Sequence, residues 1–168
     1  MESRAKLFGH SIHQQLIPFP LGLLMTAVVF DVIHLLTDGA QWGLVSFWMI
    51  AAGVVGGLLA APFGFIDWLA IPADTRAKRV GAVHGLGNVV VVGLFGGSWL
   101  LRNAGMEANP GTLPLVLSFA GGALSIATGW LGGELVDRLG VGVEDGAHLN
   151  APSSLSGRPV SERVNVER

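Results

Sequence analysis

The stretch GLVSFWMIAAGVVGGLLAAPFGFI, Gly43 to Ile66, decides the fold of this chain. Its twenty-four residues carry no charge. They exceed the ~20 apolar residues that take an α-helix across a hydrocarbon core at about 1.5 Å per residue. Three further stretches share this character: Leu16 to Leu36, Val80 to Leu101 and Leu113 to Gly133. The pattern predicts an all-α protein, a four-transmembrane-helix bundle running up-down-up-down within residues 1–139. Residues 140–168 change character. Pro152, Ser153, Ser154, Ser156, Gly157 and Pro159 punctuate them, and an exposed, largely irregular tail is expected.

Composition agrees. Charged residues make up 13% of the chain, about half the usual soluble fraction, and they cluster between the apolar stretches. The net charge of −2, without a basic stripe, argues against a nucleic-acid partner. The absence of cysteine removes disulfides, thiolate-bound iron–sulfur clusters and covalently attached c-type haem. Arg4 and Lys6 precede the first stretch as they would in a signal peptide. That stretch is too long for a signal core, contains Asp31 and His34, and lacks an A-x-A site, so it reads as a retained helix. No internal repeat stands out.

Basic residues set the orientation. Arg4 and Lys6 lie before the first stretch, Arg76, Lys78 and Arg79 in the second connection, and Arg138, Arg158, Arg163 and Arg168 in the tail. The first connection has none and the third has Arg102 alone. Nine of the 10 basic residues therefore share one side, which predicts a multi-pass bacterial inner-membrane protein with both termini cytoplasmic.

Small residues four apart, such as Gly53 and Gly57, Gly56 and Ala60, Gly93 and Gly97, and Gly129 and Gly133, allow close approach of helices. The expected use is packing within the bundle, with a homodimer face as the alternative. Trp42, Trp48, Trp68, Trp99 and Trp130 mostly fall near stretch ends, as interfacial anchors do.

Alternating helix directions bring His10, His13, Asp67, His84 and Glu134 to the cytoplasmic end. His10 and His13 share a face, as do His84 and Asn88, four apart on the third helix. His10, His13, Asp67, His84 and Asn88 are the candidate cofactor-binding residues, and the first four of these are candidate metal ligands. At the other end Asp31 and His34 form a second polar pair. Asp31 lies eighteen residues, five full turns, from His13 on the same face. Ionisable groups within spans usually face the interior and count as functional candidates. Three readings stay open: a structural polar network, a transition-metal or b-type haem site, and a proton or solute pathway, as in a small proton-coupled permease. There is no G-x-S-x-G, no phosphate-binding glycine loop and no nucleophile–base pair at recognisable spacing, so the sequence carries no enzyme signature.

Gly9-His10-Ser11-Ile12-His13 followed by Leu16-Ile17-Pro18-Phe19-Pro20-Leu21-Gly22 resembles the opening of a family of uncharacterised bacterial four-helix inner-membrane proteins. Phe30-Asp31, Gly64-Phe65-Ile66-Asp67-Trp68, His84-Gly85-Leu86-Gly87-Asn88 and Gly129 to Val136 are similar to its later blocks, in the same order, so that the likeness runs from Gly9 to Val143. Ser11 stands where Pro is common in that family, and Leu139 where His is often found. The resemblance implies the fold and no activity. Some relatives carry fused Rieske or cytochrome-like domains, which implies a redox setting, a redox partner protein and an electron-transfer role. The competing reading is a structural or interaction protein embedded in the lipid bilayer.

Overall fold

The structure is a computed structural model that describes residues 1–102 and 109–162. Arg163, Arg168 and most of the connection after Arg102 lie outside the described residues. Among the described residues, four helical segments are long and apolar enough to cross a membrane: Ile12–Thr37, Ala40–Ala70, Arg76–Leu101 and Thr112–Arg138.

The chain opens with a small antiparallel hairpin, β1 (Lys6–Leu7) and β2 (His10–Ser11), in which Lys6 faces Ser11 and Leu7 faces His10. The first span is α1 (Ile12–Leu16) continued by α2 (Pro18–Thr37). Pro18 starts α2, where its missing N–H would have had no helical partner in any case. Then follow α3 (Ala40–Ala70), α4 (Arg76–Leu101) and α5 (Thr112–Gly133), the last ending in a widened π turn, Glu134–Arg138. Asp38, in the left-handed region, ends α2, and the Thr75 hydroxyl caps α4 by accepting the Lys78 N–H at 3.1 Å. At 31 residues α3 is about 46 Å long, so it outruns the hydrocarbon and carries Asp67 out near its edge.

Each span turns a stripe inward whose members step alternately by four and three residues. Along α1 and α2 it reads His13, Ile17, Pro20, Leu24, Ala27, Asp31, His34, and along α4 it reads His84, Asn88, Val91, Phe95, Ser98, Arg102. Along α3 it reads Ser46, Ile50, Gly53, Gly57, Ala60, Gly64, Asp67, and along α5 Pro114, Ser118, Gly121, Ser125, Thr128, Gly132, Leu135. That step is the seam of antiparallel bundles with crossing angles near 20°. Here the seam is small and polar, because lipid offers apolar side chains no reason to move inward and backbone proximity decides packing. Leu36, Val55, Leu86, Val89, Ile126 and Trp130 are exposed on the outside.

Large residues of α2 and α4 seat on glycines of α3 and α5. A Cβ on Gly53 would lie 2.6 Å from Leu24 Cδ2, and one on Gly121 2.8 Å from Phe95 Cε2. Leu24, Ala27, Ile50, Val91 and Phe95 form the apolar core between them. Of the expected close-packing pairs, those of α3 do face inward: Gly57 would meet Val92 at 3.2 Å and Gly56 would meet Pro20 at 3.4 Å. Of those of α4 and α5, Gly97 alone meets a neighbouring helix, where a Cβ would lie 3.6 Å from Leu117 Cδ1. Gly93 and Gly129 face open space, and Gly133 has only the Asp137 carboxylate at 4.0 Å, because all three fall off the seam.

Gly53→Leu and Gly121→Leu should each destabilise the bundle by about 1–3 kcal/mol through overpacking, while Gly129→Leu should be neutral. Thermal unfolding in one detergent, compared across the three variants, checks this.

Candidate functional site

At the end of the bundle away from the chain termini, the far end, a buried ion pair joins the spans. Arg102 grips Asp31 bidentately, Nη1 to Oδ1 at 2.8 Å and Nη2 to Oδ2 at 2.7 Å, and both side chains are almost wholly buried. Arg102 also donates to the Ser46 hydroxyl at 3.1 Å and the Ser98 hydroxyl at 3.2 Å. Ser118 donates to Asp31 Oδ2 at 2.6 Å, and Ser98 donates to the Pro114 carbonyl at 2.7 Å. One network thus reaches α2, α3, α4 and α5. The sequence reading paired Asp31 with His34, and Arg102 is the partner it missed. His34 instead turns Nδ1 toward the Gly39 carbonyl, 3.2 Å away, in the turn after α2. The usable signal was a lone Arg ending one span at the depth of a lone Asp in another.

At the terminal end Asp67 holds the N-terminal segment down. It accepts from the Ser3 hydroxyl at 2.8 Å, from the backbone N–H of Arg4 at 2.7 Å and of Ala5 at 3.3 Å, and from the Ser11 hydroxyl at 3.4 Å. Neither Arg76 nor Arg79 serves it. Arg76 pairs with Glu134 at 2.7 Å. His10 is exposed in the hairpin, its Nδ1 3.1 Å from the Phe8 carbonyl. Lys6 bridges Glu2 at 2.7 Å and Glu144 at 2.9 Å, tying the N-terminal segment to the start of the tail, and those hydrogen bonds raise its pKa above the ordinary lysine value.

One helical turn or more inside that end, His13 and His84 have the same environment. His13 Nδ1 lies 3.0 Å from the Ala60 carbonyl, and the ring rests on Gly64, where a Cβ would come within 2.7 Å. His84 Nδ1 lies 2.9 Å from the Thr128 carbonyl, and the ring rests on Gly132, where a Cβ would come within 3.2 Å. A carbonyl can only accept, so each Nδ1 carries the proton and each Nε2 keeps its lone pair. His13 Nε2 has no hydrogen-bond partner among the described residues. Asn88 Nδ2 lies 3.3 Å from His84 Nε2, a hydrogen bond in which the ring nitrogen accepts, and also donates to the His84 carbonyl at 2.9 Å. Thr128 in turn donates to Asn88 Oδ1 at 3.2 Å.

Packing differs between the two levels of the seam. From Leu24, Gly53, Val91 and Gly121 to the far end, seam positions are buried. Around the histidines, His13, Ile17, Gly57, Gly64, His84, Asn88 and Gly132 are only half-buried. Among the described residues no three His, Cys, Asp or Glu side chains gather as metal ligands. Asp67 has given its oxygens to residues 3–11, and His10 points into its own turn.

Residues 9–145 match the family described as predicted membrane protein (DUF2231). The chain belongs to that family. No curated protein and no solved structure matches it. As a DUF2231 member with four apolar spans it is a multi-pass membrane protein. The family description names no reaction, so chemistry has to be argued from the seam. Of its polar groups, Asp31, Arg102 and Asp67 are occupied by partners, and imidazole nitrogens are what remains to bind something: Nε2 of His13 and of His34 has no partner among the described residues, and that of His84 meets the Asn88 amide.

Asp67→Asn leaves one acceptor oxygen for donors that now share two, and hydrogen bonds to a charged group are worth about 1.5–3 kcal/mol. Hydrogen exchange should therefore accelerate at Arg4 and Ala5 while the spans keep their protection, as mass spectrometry of the detergent-solubilised protein can measure.

Proposed function

We propose that this DUF2231 protein is an electron-transfer module of a bacterial inner membrane, in which His13 and His84 would hold a b-type haem. The single observation that supports this reading is the matched pair of imidazoles, each anchored through Nδ1–H to a backbone carbonyl, with Nε2 unpartnered at His13 among the described residues and met only by the Asn88 amide at His84. Backbone anchoring of the distal nitrogen is how ligating histidines are usually oriented and made more basic. Two imidazoles without a third ligand suit a haem better than a zinc site, which needs three or four protein ligands. The rings lie at a level where His13, Gly64, His84 and Gly132 are all half-buried, and a flat macrocycle would have to enter there. Bound there, a haem supplies one-electron chemistry, and the protein contributes ligand orientation and exclusion of water. A redox partner protein would approach from the terminal end.

The same hydrogen bonds also support a second reading, in which His13 and His84 only knit α1 to α3 and α4 to α5. A proton pathway has less support. Between the histidines and Asp31, the seams of α2 and α4 hold Pro20, Leu24, Ala27, Val91, Phe95 and Ser98, none of which titrates.

Protein purified in mild detergent and titrated with haemin should give a Soret band at one haem per chain, and His13→Gln or His84→Gln should each abolish the low-spin spectrum while the fold remains. A stable bundle that stays colourless with excess haemin overturns the haem reading in favour of the structural one.

The orientation with both termini in the cytoplasm, and the tail as a separate exposed extension after residue 139, belong to the same proposal. Nine basic residues on the terminal side support the orientation, and the exception, Arg102, is neutralised inside the bundle by Asp31. Reporter fusions should register the periplasm after Asp38 and the cytoplasm after Lys78 and Arg158. A periplasmic signal at Lys78 would reverse the assignment.

A further inference from the structure

The seam positions of the first span recur in the third at one constant spacing. His13, Leu24, Ala27 and Asp31 correspond to His84, Phe95, Ser98 and Arg102, each pair 71 residues apart. The second and fourth spans correspond at a spacing three residues shorter, so that Ile50, Gly53, Ala60 and Gly64 match Ser118, Gly121, Thr128 and Gly132. The match extends to what each residue touches. Leu24 seats on Gly53 as Phe95 seats on Gly121. His13 rests on Gly64 and bonds to Ala60 as His84 rests on Gly132 and bonds to Thr128. Burial follows suit: Ala27 and Ser98 are both at 0%, as are Ile50 and Ser118. Gly22 and Gly93, equivalent but off the seam, both face open space.

We infer that the bundle is two copies of one helical hairpin, α1–α2–α3 and α4–α5, related by a pseudo-two-fold axis along the membrane normal that runs through the Asp31–Arg102 pair. Two equivalent residues can touch only where they meet at such an axis, and these two meet at 2.7 and 2.8 Å. The inner face of each hairpin is thus an interaction surface for a hairpin of its own design, on one condition. Identical charges at the axial position would repel, so one hairpin must bring a carboxylate and the other a guanidinium. The hydroxyls around the pair are not themselves repeated, since Ser46, Ser98 and Ser118 stand where the other hairpin has Pro114, Ala27 and Ile50, but each can serve either ion. Ser46, Ser98 and Ser118 surround it with hydroxyls, and a hydroxyl accepts from a guanidinium as readily as it donates to a carboxylate. Residue identity hides the repeat, because the seam keeps only His13/His84, Gly53/Gly121 and Gly64/Gly132 unchanged.

Charge exchange in the full chain tests this inference independently of any haem. Asp31→Arg and Arg102→Asp, each alone, place like charges on the axis and should cost the protein its monodisperse elution in detergent. The double exchange D31R/R102D should restore the wild-type elution and most of the wild-type melting temperature. A second exchange, D31K/R102E, has different side-chain shapes and guards against a purely steric failure. Recovery in either double variant supports equivalence of the two positions. Failure of both, or a single variant that melts like the wild type, overturns it.

Discussion

The buried pair of Asp31 and Arg102 is the constraint around which the rest of the bundle is arranged. Two charges removed from water cost several kcal/mol each, and their attraction compensates only when every donor and acceptor is matched. Here two parallel hydrogen bonds join the ions, and three serines, Ser98 from the helix that Arg102 ends and Ser46 and Ser118 from two other spans, fill the remaining valences. Removing one partner strands the other, at about 3–5 kcal/mol. An arrangement that exacting tolerates no slip of one helix against another by a turn, so it fixes the depth of all four spans. The seam positions around it are accordingly buried, and they loosen only toward the opposite end.

Away from the pair, cohesion comes from shape. The surface meets lipid, so the apolar side chains that would form the interior of a soluble bundle are spread over the outside. The interior is left to glycine, alanine and serine, against which one larger residue at a time can be pressed. Leu24 on Gly53 and Phe95 on Gly121 are apolar cases, and His13 on Gly64 and His84 on Gly132 are polar ones. The polar cases come with a further demand: a ring nitrogen in low dielectric needs a partner, and the backbone carbonyls of Ala60 and Thr128 supply it by accepting beyond their helical bond.

Hydrophobicity and the placement of Arg and Lys made the four spans legible from residues alone, since length and charge are properties of composition. The spans' ends were less so: α3 runs to Ala70 although its apolar stretch stops at Ile66, because helical hydrogen bonding continues through polar residues at the interface. The eighteen-residue step from His13 to Asp31 was visible. The equal step from His84 to Arg102 was passed over, because Arg102 closes an apolar stretch and resembles a loop residue. The partners of Asp67 and of both histidines were out of reach for another reason. They are mainly backbone N–H and C=O groups, which every residue possesses and no sequence pattern marks. The grouping of His10 and Asp67 with His13 and His84 came from shared depth, and depth does not tell which way a side chain turns.

The unlike charges at equivalent positions also constrain the order in which this sequence can have diverged. A hairpin pair with one neutral residue on each side of the axis is stable when both hydrogen-bond to the serines. From there the acid can enter alone, because a buried carboxyl group without a cation beside it can be held in its neutral form by hydroxyls. A guanidinium has no such retreat, since it stays charged at any pH a cell provides. The route that never strands an ion therefore passes through the acid before the base, and once Arg102 is in place the acid cannot be the first to go.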